Sequence, residues 1–257
     1  MSAISADRLS AEIVGSTATL AGLVDGADLT RPVPTCPAWT LRQLTTHVGR
    51  AHRWAGAIVV TRSAEPIAFR DVPDGKLPED PRQHADWLRA GAARLVEAVR
   101  DAGDAPVWTH QGVGPARYWM RRMAHETSVH RADAQLAFGL RPQIDALTAA
   151  DGIAEWLGFL AAPGAGSTRP PLTALDGRVL HIHATDDGLD GSGEWLIRPG
   201  DGRVDVTPGH AKGDVAVRGP ASDLLLVLMR RLPATDPAVQ VLGDTALLDA
   251  LLAAIAF

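Results

Sequence analysis

The stretch YWMRRMAHETSVHRADAQLAF, residues 118–138, combines a helical pattern with histidine and glutamate, which are residue types that can bind metals. At about 100° per residue, its apolar and small side chains share one stripe with His130 at the centre, and Glu126 lies one turn earlier at the edge of that stripe. An unpaired charge turned toward a core is costly, so these two side chains need a partner. A shared metal ion is one explanation, and a Glu–His hydrogen bond on a half-buried face is the other.

Helical patterns also fill the rest of the first 160 residues. Apolar residues at helical spacing, separated by loops that contain proline and glycine, predict helices in four further places. These helices lie near Leu9 to Val24, from about Trp39 to Thr61, over roughly 81–102, and around 145–161. Together with 118–138 they predict an all-helical N-terminal domain.

The pattern changes beyond residue 161. Residues 161–171 have the composition of a linker, and short strand-like runs separated by turn residues follow them. The predicted strands are Arg178–Ala184, Glu194–Arg198, Arg203–Thr207, Asp214–Arg218 and Val239–Leu242, with helices over Ala221–Leu232 and from Thr245 onward. The sequence therefore predicts an α+β protein, with a helical bundle over 1–162 followed by a small α+β domain over 172–257.

The predicted second helix carries two histidines that could supply a third metal ligand. Its apolar stripe consists of Leu41, Leu44, Val48, Ala51 and Ala55. His47 and His52 lie about 70° to either side of the centre of that stripe, so either of them could face the bundle. Helical spacing leaves this choice open, and an ordinary position at the edge of a helix is the alternative for each.

Two stretches resemble the signatures of the maleylpyruvate isomerase family, which belongs to the DinB-like superfamily. The first is CPAWTLRQLTTHV, residues 36–48, and the second is WMRRMAHETSVHRAD, residues 119–133. The resemblance implies a DinB-like four-helix bundle in which His47, Glu126 and His130 bind one divalent metal, with Zn²⁺ as the expected ion. It places His52 outside the ligand set. The second half of the chain is similar to the smaller C-terminal domain of the same family.

The resemblance also implies a reaction. Members of the family activate mycothiol or a similar small thiol, which attacks a small electrophilic substrate and leads to isomerisation or to thiol transfer. A bound cation suits this use, because it lowers the pKa of a thiol and the thiolate is the nucleophile. A family arginine that holds a substrate carboxylate matches MRRLP, residues 229–233, on Arg231, with Arg230 as the alternative register. The opposing interpretation of Arg231 is an exposed charge at a helix end.

Three functions fit these features. The first is a metal- and thiol-dependent transferase or isomerase. The second is a metal-dependent hydrolase that activates water with the same triad, and the third is a non-enzymatic binding module. The single cysteine, Cys36, is interpreted as a structural thiol rather than a nucleophile. Asp133, three residues after His130, is a candidate for orienting that imidazole or for an ordinary helix salt bridge.

Composition narrows the choice of partners. The net charge is -5 and no run of Lys and Arg is interleaved with aromatic residues, which argues against a nucleic acid partner. No apolar stretch approaches membrane-spanning length, so we expect no membrane partner. Asp7 and Glu12 are acidic where a signal peptide needs positive charge. We therefore expect a cytoplasmic protein, and the family resemblance implies a small-molecule substrate.

Two histidines in the second half alternate along a predicted strand. His181 and His183 therefore share one face of that strand. The sequence identifies no third ligand beside them, and we accordingly predict no metal site there.

Overall fold

A computed structural model describes residues 4–162, 175–189, 191–200 and 203–254 of the chain. Contacts divide the chain into two compact units, an N-terminal unit over Ile4–Pro142 and a C-terminal unit that includes Gln143–Phe257. Most of the predicted linker at 161–171 lies outside the described residues. Among the helices that are described, none has the length and apolar character needed to cross a membrane.

Four helices pack against one another in the N-terminal unit. They are α1 (Ala6–Val24), α2 (Leu41–Thr61), α3 (His84–Ala102) and α4 (Arg117–Ala137). The most extensive contacts join α2 with α3 and α1 with α4. Two clusters of buried apolar side chains fill the space between the helices, one containing Trp119 and the other containing Leu44. The predicted packing of helices is confirmed.

Local capping explains where α2 begins and ends. The backbone N–H of Thr40 donates to Oε1 of Gln43 (2.7 Å), which is half of a capping box. Thr40 is therefore the N-cap, and Trp39, predicted as the first helical residue, lies in the preceding turn. At the other end, Arg62 adopts a left-handed conformation with φ of 49° and terminates the helix.

A short hairpin interrupts the helices, so the N-terminal unit is not all-helical as predicted. Strands β1 (Pro106–Thr109) and β2 (Gly112–Pro115) pair antiparallel between α3 and α4. Strands this short show little alternation, and the glycine and proline of β2 indicate a helix break rather than a strand. Gly112, with φ of 100°, adopts a conformation that favours glycine at the turn.

The C-terminal unit combines a five-stranded mixed sheet with helices. Its elements are α5 (Ala146–Ala161), β3 (Leu180–Ala184), β4 (Glu194–Gly200), β5 (Arg203–Pro208), β6 (Val215–Gly219), α6 (Ala221–Leu228), β7 (Gln240–Gly243) and α7 (Thr245–Ala254). The strand order is β5-β4-β3-β6-β7, in which β3 and β6 run parallel and the other pairs run antiparallel. The predicted α+β class is confirmed.

Two helices differ from the sequence-based prediction. Helix α6 ends at Leu228, before the predicted Leu232, because Arg230 adopts a left-handed conformation with φ of 60°. Helix α5 packs against α6 within the C-terminal unit, whereas the predicted first domain extended to residue 162. The predicted limits of 1–162 and 172–257 stay predictions about which segments fold independently.

Close packing of α2 against α3 generates a stability prediction at Gly49. A Cβ at this position would overlap the ring of Trp87. That ring is held in place, since its Nε1 donates to the carbonyl of Asp74 (3.0 Å) and its face packs against Arg53. We expect Gly49→Ala to lower the free energy of unfolding by about 1–3 kcal/mol, because overpacking outweighs the gain in helix propensity.

Gly56 on the same helix is the matched control. Its added Cβ would meet only Cα of Leu95, at an ordinary 3.8 Å. Gly56→Ala should therefore be neutral or stabilise the protein by about 0.4–1 kcal/mol. Denaturant unfolding of both variants checks this, and equal stability of the two would contradict the close packing of α2 and α3.

Candidate metal centre

His47 on α2 and the pair Glu126 and His130 on α4 meet in the N-terminal unit. Nε2 of His47 lies 3.0 Å from Oε1 of Glu126, and Nε2 of His130 lies 3.3 Å from the same oxygen. Donor atoms of the three side chains all lie within 4.8 Å of one another. Helical geometry places Glu126 and His130 one turn apart, and the packing of α2 on α4 adds His47. These three residues are called the triad below.

The second oxygen of Glu126 is held by an arginine. Nη2 of Arg122, four residues earlier on α4, donates to Oε2 at 2.6 Å. Burial by itself would raise the pKa of Glu126, but hydrogen bonds from His130 and His47 and the charge of Arg122 lower that pKa well below its ordinary value. The carboxylate is therefore ionised, and one of its oxygens stays directed at the two imidazoles.

The second nitrogen of His130 is held by Asp133. Nδ1 of His130 lies 2.8 Å from Oδ2 of Asp133, whose side chain is fully buried. Burial alone would lower the pKa of His130, but the hydrogen bonds to Asp133 and Glu126 raise it to about 9. Because Asp133 fixes Nδ1, the ring orientation is set and Nε2 is directed at Glu126. Asp133 thus contacts the imidazole, which is one of the two roles that its position in the sequence left open.

The turn before α2 completes the surroundings of the triad. Thr35 donates from its hydroxyl to Oδ1 of Asp133, and the half-buried thiol of Cys36 donates to Oδ2 (3.6 Å). The ring of Trp39 lies against both imidazoles, with centroids 4.9 Å from His47 and 5.8 Å from His130. This indole covers one side of the triad with apolar surface.

His52, the other histidine of α2, has a different environment. It is almost fully buried, and its Nε2 lies 2.8 Å from the hydroxyl oxygen of Thr127. Burial lowers the pKa of His52 to about 3, so its imidazole is neutral. Helical spacing left the choice between His47 and His52 open, and the structure brings His47 to Glu126.

The donor set of the triad fits a divalent metal. Two ligand atoms bound at about 2.0–2.1 Å to one tetrahedral ion lie about 3.4 Å apart, close to the spacings at Glu126. The side chains of His47 and Glu126 keep 34% and 26% of their surface exposed, so the triad is open on one side. Cys36 and Asp133 form a second group of possible ligands on the Nδ1 side of His130. An ion cannot use both nitrogens of one imidazole, so these two groups are distinguishable alternatives.

The arginines named in the sequence analysis lie in the C-terminal unit. Arg230 and Arg231 follow α6 rather than standing on it, and both line a cavity of about 490 Å³ that also includes Asp249 and Leu252 of α7. Nη1 of Arg231 donates to the carbonyl of Met229 (2.7 Å). The volume is in the range that accepts a small molecule.

Arg122 and Thr35 are residues of the site that the sequence analysis did not single out. Arg122 was identifiable in principle, because it stands four residues before Glu126 on the same helix and such pairs are neighbours. Thr35 comes from a proline-bounded turn almost one hundred residues before Asp133. No spacing rule connects that turn to α4, and only the folded chain reveals the contact.

Comparison with known proteins gives matches over both units. Residues 10–135 match the family described as "Mycothiol maleylpyruvate isomerase N-terminal domain", and residues 148–250 match the "MDMPI C-terminal domain". No curated protein matches the chain.

Two solved structures have a similar fold. A crystal structure of the mycothiol-dependent maleylpyruvate isomerase covers 93% of each chain, with a TM-score of 0.55 and 19% identity. A histidine-to-alanine mutant of such an isomerase covers the same shares, with a TM-score of 0.56 and 17% identity. Structural similarity at this level of sequence identity supports the arrangement of the fold, but it does not assign roles to individual residues.

The triad generates a prediction about metal content. We expect His47→Ala, Glu126→Ala and His130→Ala each to remove about one equivalent of bound zinc or a similar divalent ion per chain, because each deletes one of three ligands. Elemental analysis of dialysed protein measures the loss, and circular dichroism checks that the helices persist.

His52→Ala is the matched control for this experiment. It removes the same type of side chain from the same helix, but one that contacts Thr127 instead of Glu126. It should keep the metal content of the wild type. Equal metal in the wild type and in a variant lacking all three ligands would contradict the site. Loss in His52→Ala with retention in His47→Ala would assign the ligand to the other histidine.

Proposed function

We propose that this chain is a metal- and thiol-dependent transferase or isomerase acting on a small electrophilic substrate. The chain belongs to the mycothiol maleylpyruvate isomerase family, and this membership is the starting point of the proposal. The observation that carries this proposal is the convergence of His47 and His130 on one oxygen of Glu126. Mycothiol or a similar small thiol is the proposed cosubstrate.

The ligand set favours chemistry over a purely structural role. Three protein ligands, two imidazoles and one carboxylate, are typical of catalytic sites that keep a position for another molecule. A divalent cation held there would lower the pKa of a bound thiol and so favour the thiolate, which is the nucleophile. The partial exposure of His47 and Glu126 supports access to this position from solution.

The surrounding residues have separate tasks in this proposal. Asp133 holds Nδ1 of His130, which fixes the ring so that Nε2 would bind an ion once its proton is displaced. Arg122 holds Oε2 of Glu126, which leaves Oε1 for the ion. Trp39 excludes water from one side of the triad, because its ring packs against both imidazoles. Cys36 donates to Asp133 and needs no part in the nucleophilic step.

We assign to Arg231 the binding of an anionic group of the substrate or cosubstrate. The guanidinium lines a cavity of suitable volume, and its hydrogen bond to Met229 restricts its position. A planar guanidinium can hold a carboxylate with two parallel hydrogen bonds, whereas an ammonium group cannot. Arg230 lines the same cavity, so the two arginines must be separated by experiment.

Turnover is expected to depend on an added thiol and not on Cys36. With mycothiol and an activated alkene such as maleylpyruvate, wild type and Cys36→Ser should both form isomer or thiol adduct. Chromatographic separation measures the isomer, which has the mass of the substrate, and mass spectrometry measures the adduct. Glu126→Ala should reduce the rate to that of the uncatalysed reaction.

Three outcomes would change this conclusion. Hydrolysis of a small substrate in the absence of any thiol would favour the hydrolase that uses the same triad. Inactivation of Cys36→Ser with metal and fold intact would identify a protein nucleophile. Absence of metal in the purified protein, together with absence of turnover, would favour a non-enzymatic module.

Arg231→Lys should impair turnover while metal content and thermal stability stay near those of the wild type. The expected loss in kcat/KM is about 10- to 100-fold, because one charge-assisted hydrogen bond contributes roughly 1.5–3 kcal/mol. Arg230→Lys is the matched control in the same cavity and should lose less. Unimpaired kinetics of both variants would make Arg231 a solvated charge after α6, with no role in the reaction.

A further inference from the structure

Four polar side chains gather on one face of the sheet in the C-terminal unit. His181 and His183 alternate along β3 and therefore point to the same face. The antiparallel register sets Glu194, the first residue of β4, directly opposite His183. His210 follows the end of β5 and joins them. The sequence shows the first pair, but only the register supplies the other two.

The three imidazoles converge on one carboxylate oxygen. Oε2 of Glu194 lies 2.8 Å from Nε2 of His181, 2.6 Å from Nδ1 of His210 and 3.7 Å from Nδ1 of His183. One donor atom from each of the four residues lies within 4.8 Å of the others. Ring centroids of His181 and His210 are 5.0 Å apart. His181 and His210 already lie within hydrogen-bond distance of this oxygen, and Nδ1 of His183 stands beyond that distance. A cation shared by all four residues would bind the nitrogen of His183 together with the other donor atoms.

Backbone contacts hold this arrangement in place. The N–H of Gly209 donates to the carbonyl of Glu194 (3.1 Å), which ties the residue before His210 to the start of β4. Gly209 has a φ of 134°, a conformation that favours glycine and turns the chain back at the end of β5. The side chain of His181 is only 5% exposed, so one donor is fixed inside the unit, whereas His210 is 71% exposed at its edge.

We propose that His181, His183, Glu194 and His210 bind one divalent first-row metal ion such as Zn²⁺, at a site separate from the triad. Imidazole is the preferred protein ligand of zinc, nickel and copper, and one carboxylate completes a four-ligand set. A hard cation such as Ca²⁺ or Mg²⁺ does not fit, because those ions need several oxygen ligands and the cluster offers one carboxylate.

Four protein ligands occupy all the coordination positions of a tetrahedral ion and leave none for a substrate. The site therefore has a structural role. The ligands come from β3, from β4 and from the segment after β5, and an ion shared among them joins three neighbouring strands of the sheet. Because the ion binds the folded form, it stabilises the C-terminal unit in proportion to its concentration over its dissociation constant. The competing interpretation is a hydrogen-bonded His–Glu cluster that binds no ion.

The test uses the full chain with the triad disabled by His47→Ala and His130→Ala, so that the two sites are measured apart. This background should still bind about one equivalent of Zn²⁺ per chain, and with Co²⁺ it should show the visible absorption of a tetrahedral site. Adding His183→Ala or His210→Ala should remove that equivalent and the Co²⁺ band. His110→Ala, which replaces an exposed histidine outside both groups, is the control and should retain them.

Thermal unfolding gives a second readout that does not depend on activity. Zn²⁺ should raise the Tm of the background variant, and His210→Ala should abolish the rise, while its exposed position leaves the fold intact. A background variant that binds no Zn²⁺ would overturn the proposal, as would retention of the ion after both His183 and His210 are replaced. Success or failure here is independent of the triad, since the triad is absent from every protein compared.

Discussion

The ionised carboxylate of Glu126 is the charge to which the polar side chains of the triad and its surroundings are directed. A carboxylate largely removed from solvent is stable only when its charge is compensated by neighbours. Arg122 holds one oxygen at 2.6 Å, and the imidazoles of His47 and His130 approach the other. This compensation joins α2 to α4 at one point, and it directs two nitrogen donors and one oxygen donor toward a common position.

The negative charge of Asp133 is compensated in the same way, by hydrogen bonds. Its fully buried carboxylate accepts hydrogen bonds from Nδ1 of His130, the hydroxyl of Thr35 and the thiol of Cys36. The proline-bounded turn before α2 is thereby connected to α4, and Trp39 from the same turn covers the two imidazoles. The open side of the triad is consequently the side of His47 and Glu126, which is where a small thiol could approach.

The helices and strands were easier to predict from the sequence than the contacts between them. Long amphipathic helices such as α4 were predictable, because a window of about 11–18 residues with helical spacing leaves a clear pattern. The four-residue strands β1 and β2 were missed, and the end of α6 was misplaced because nothing in the sequence shows that Arg230 takes a left-handed conformation.

The same difference separates the predictable and unpredictable parts of the two sites. Glu126 and His130 share one helix, so their proximity follows from spacing alone. His47 required either a family resemblance or the packing of α2 on α4. His181 and His183 are visible as a period-two pair, whereas Glu194 and His210 depend on strand register and on the turn at Gly209. Contacts within one helix or strand can be predicted from sequence spacing, whereas contacts between separate elements depend on how the chain folds.

Anomalous diffraction from crystals of the zinc-loaded protein, measured on both sides of the zinc absorption edge, would show directly whether the triad binds an ion. We expect a peak among Nε2 of His47, Oε1 of Glu126 and Nε2 of His130, with the ring of His130 still hydrogen-bonded to Asp133 through Nδ1. A peak on the other side of that ring, bound by Cys36 and Asp133, would contradict the assignment of the triad, as would the absence of any peak between α2 and α4.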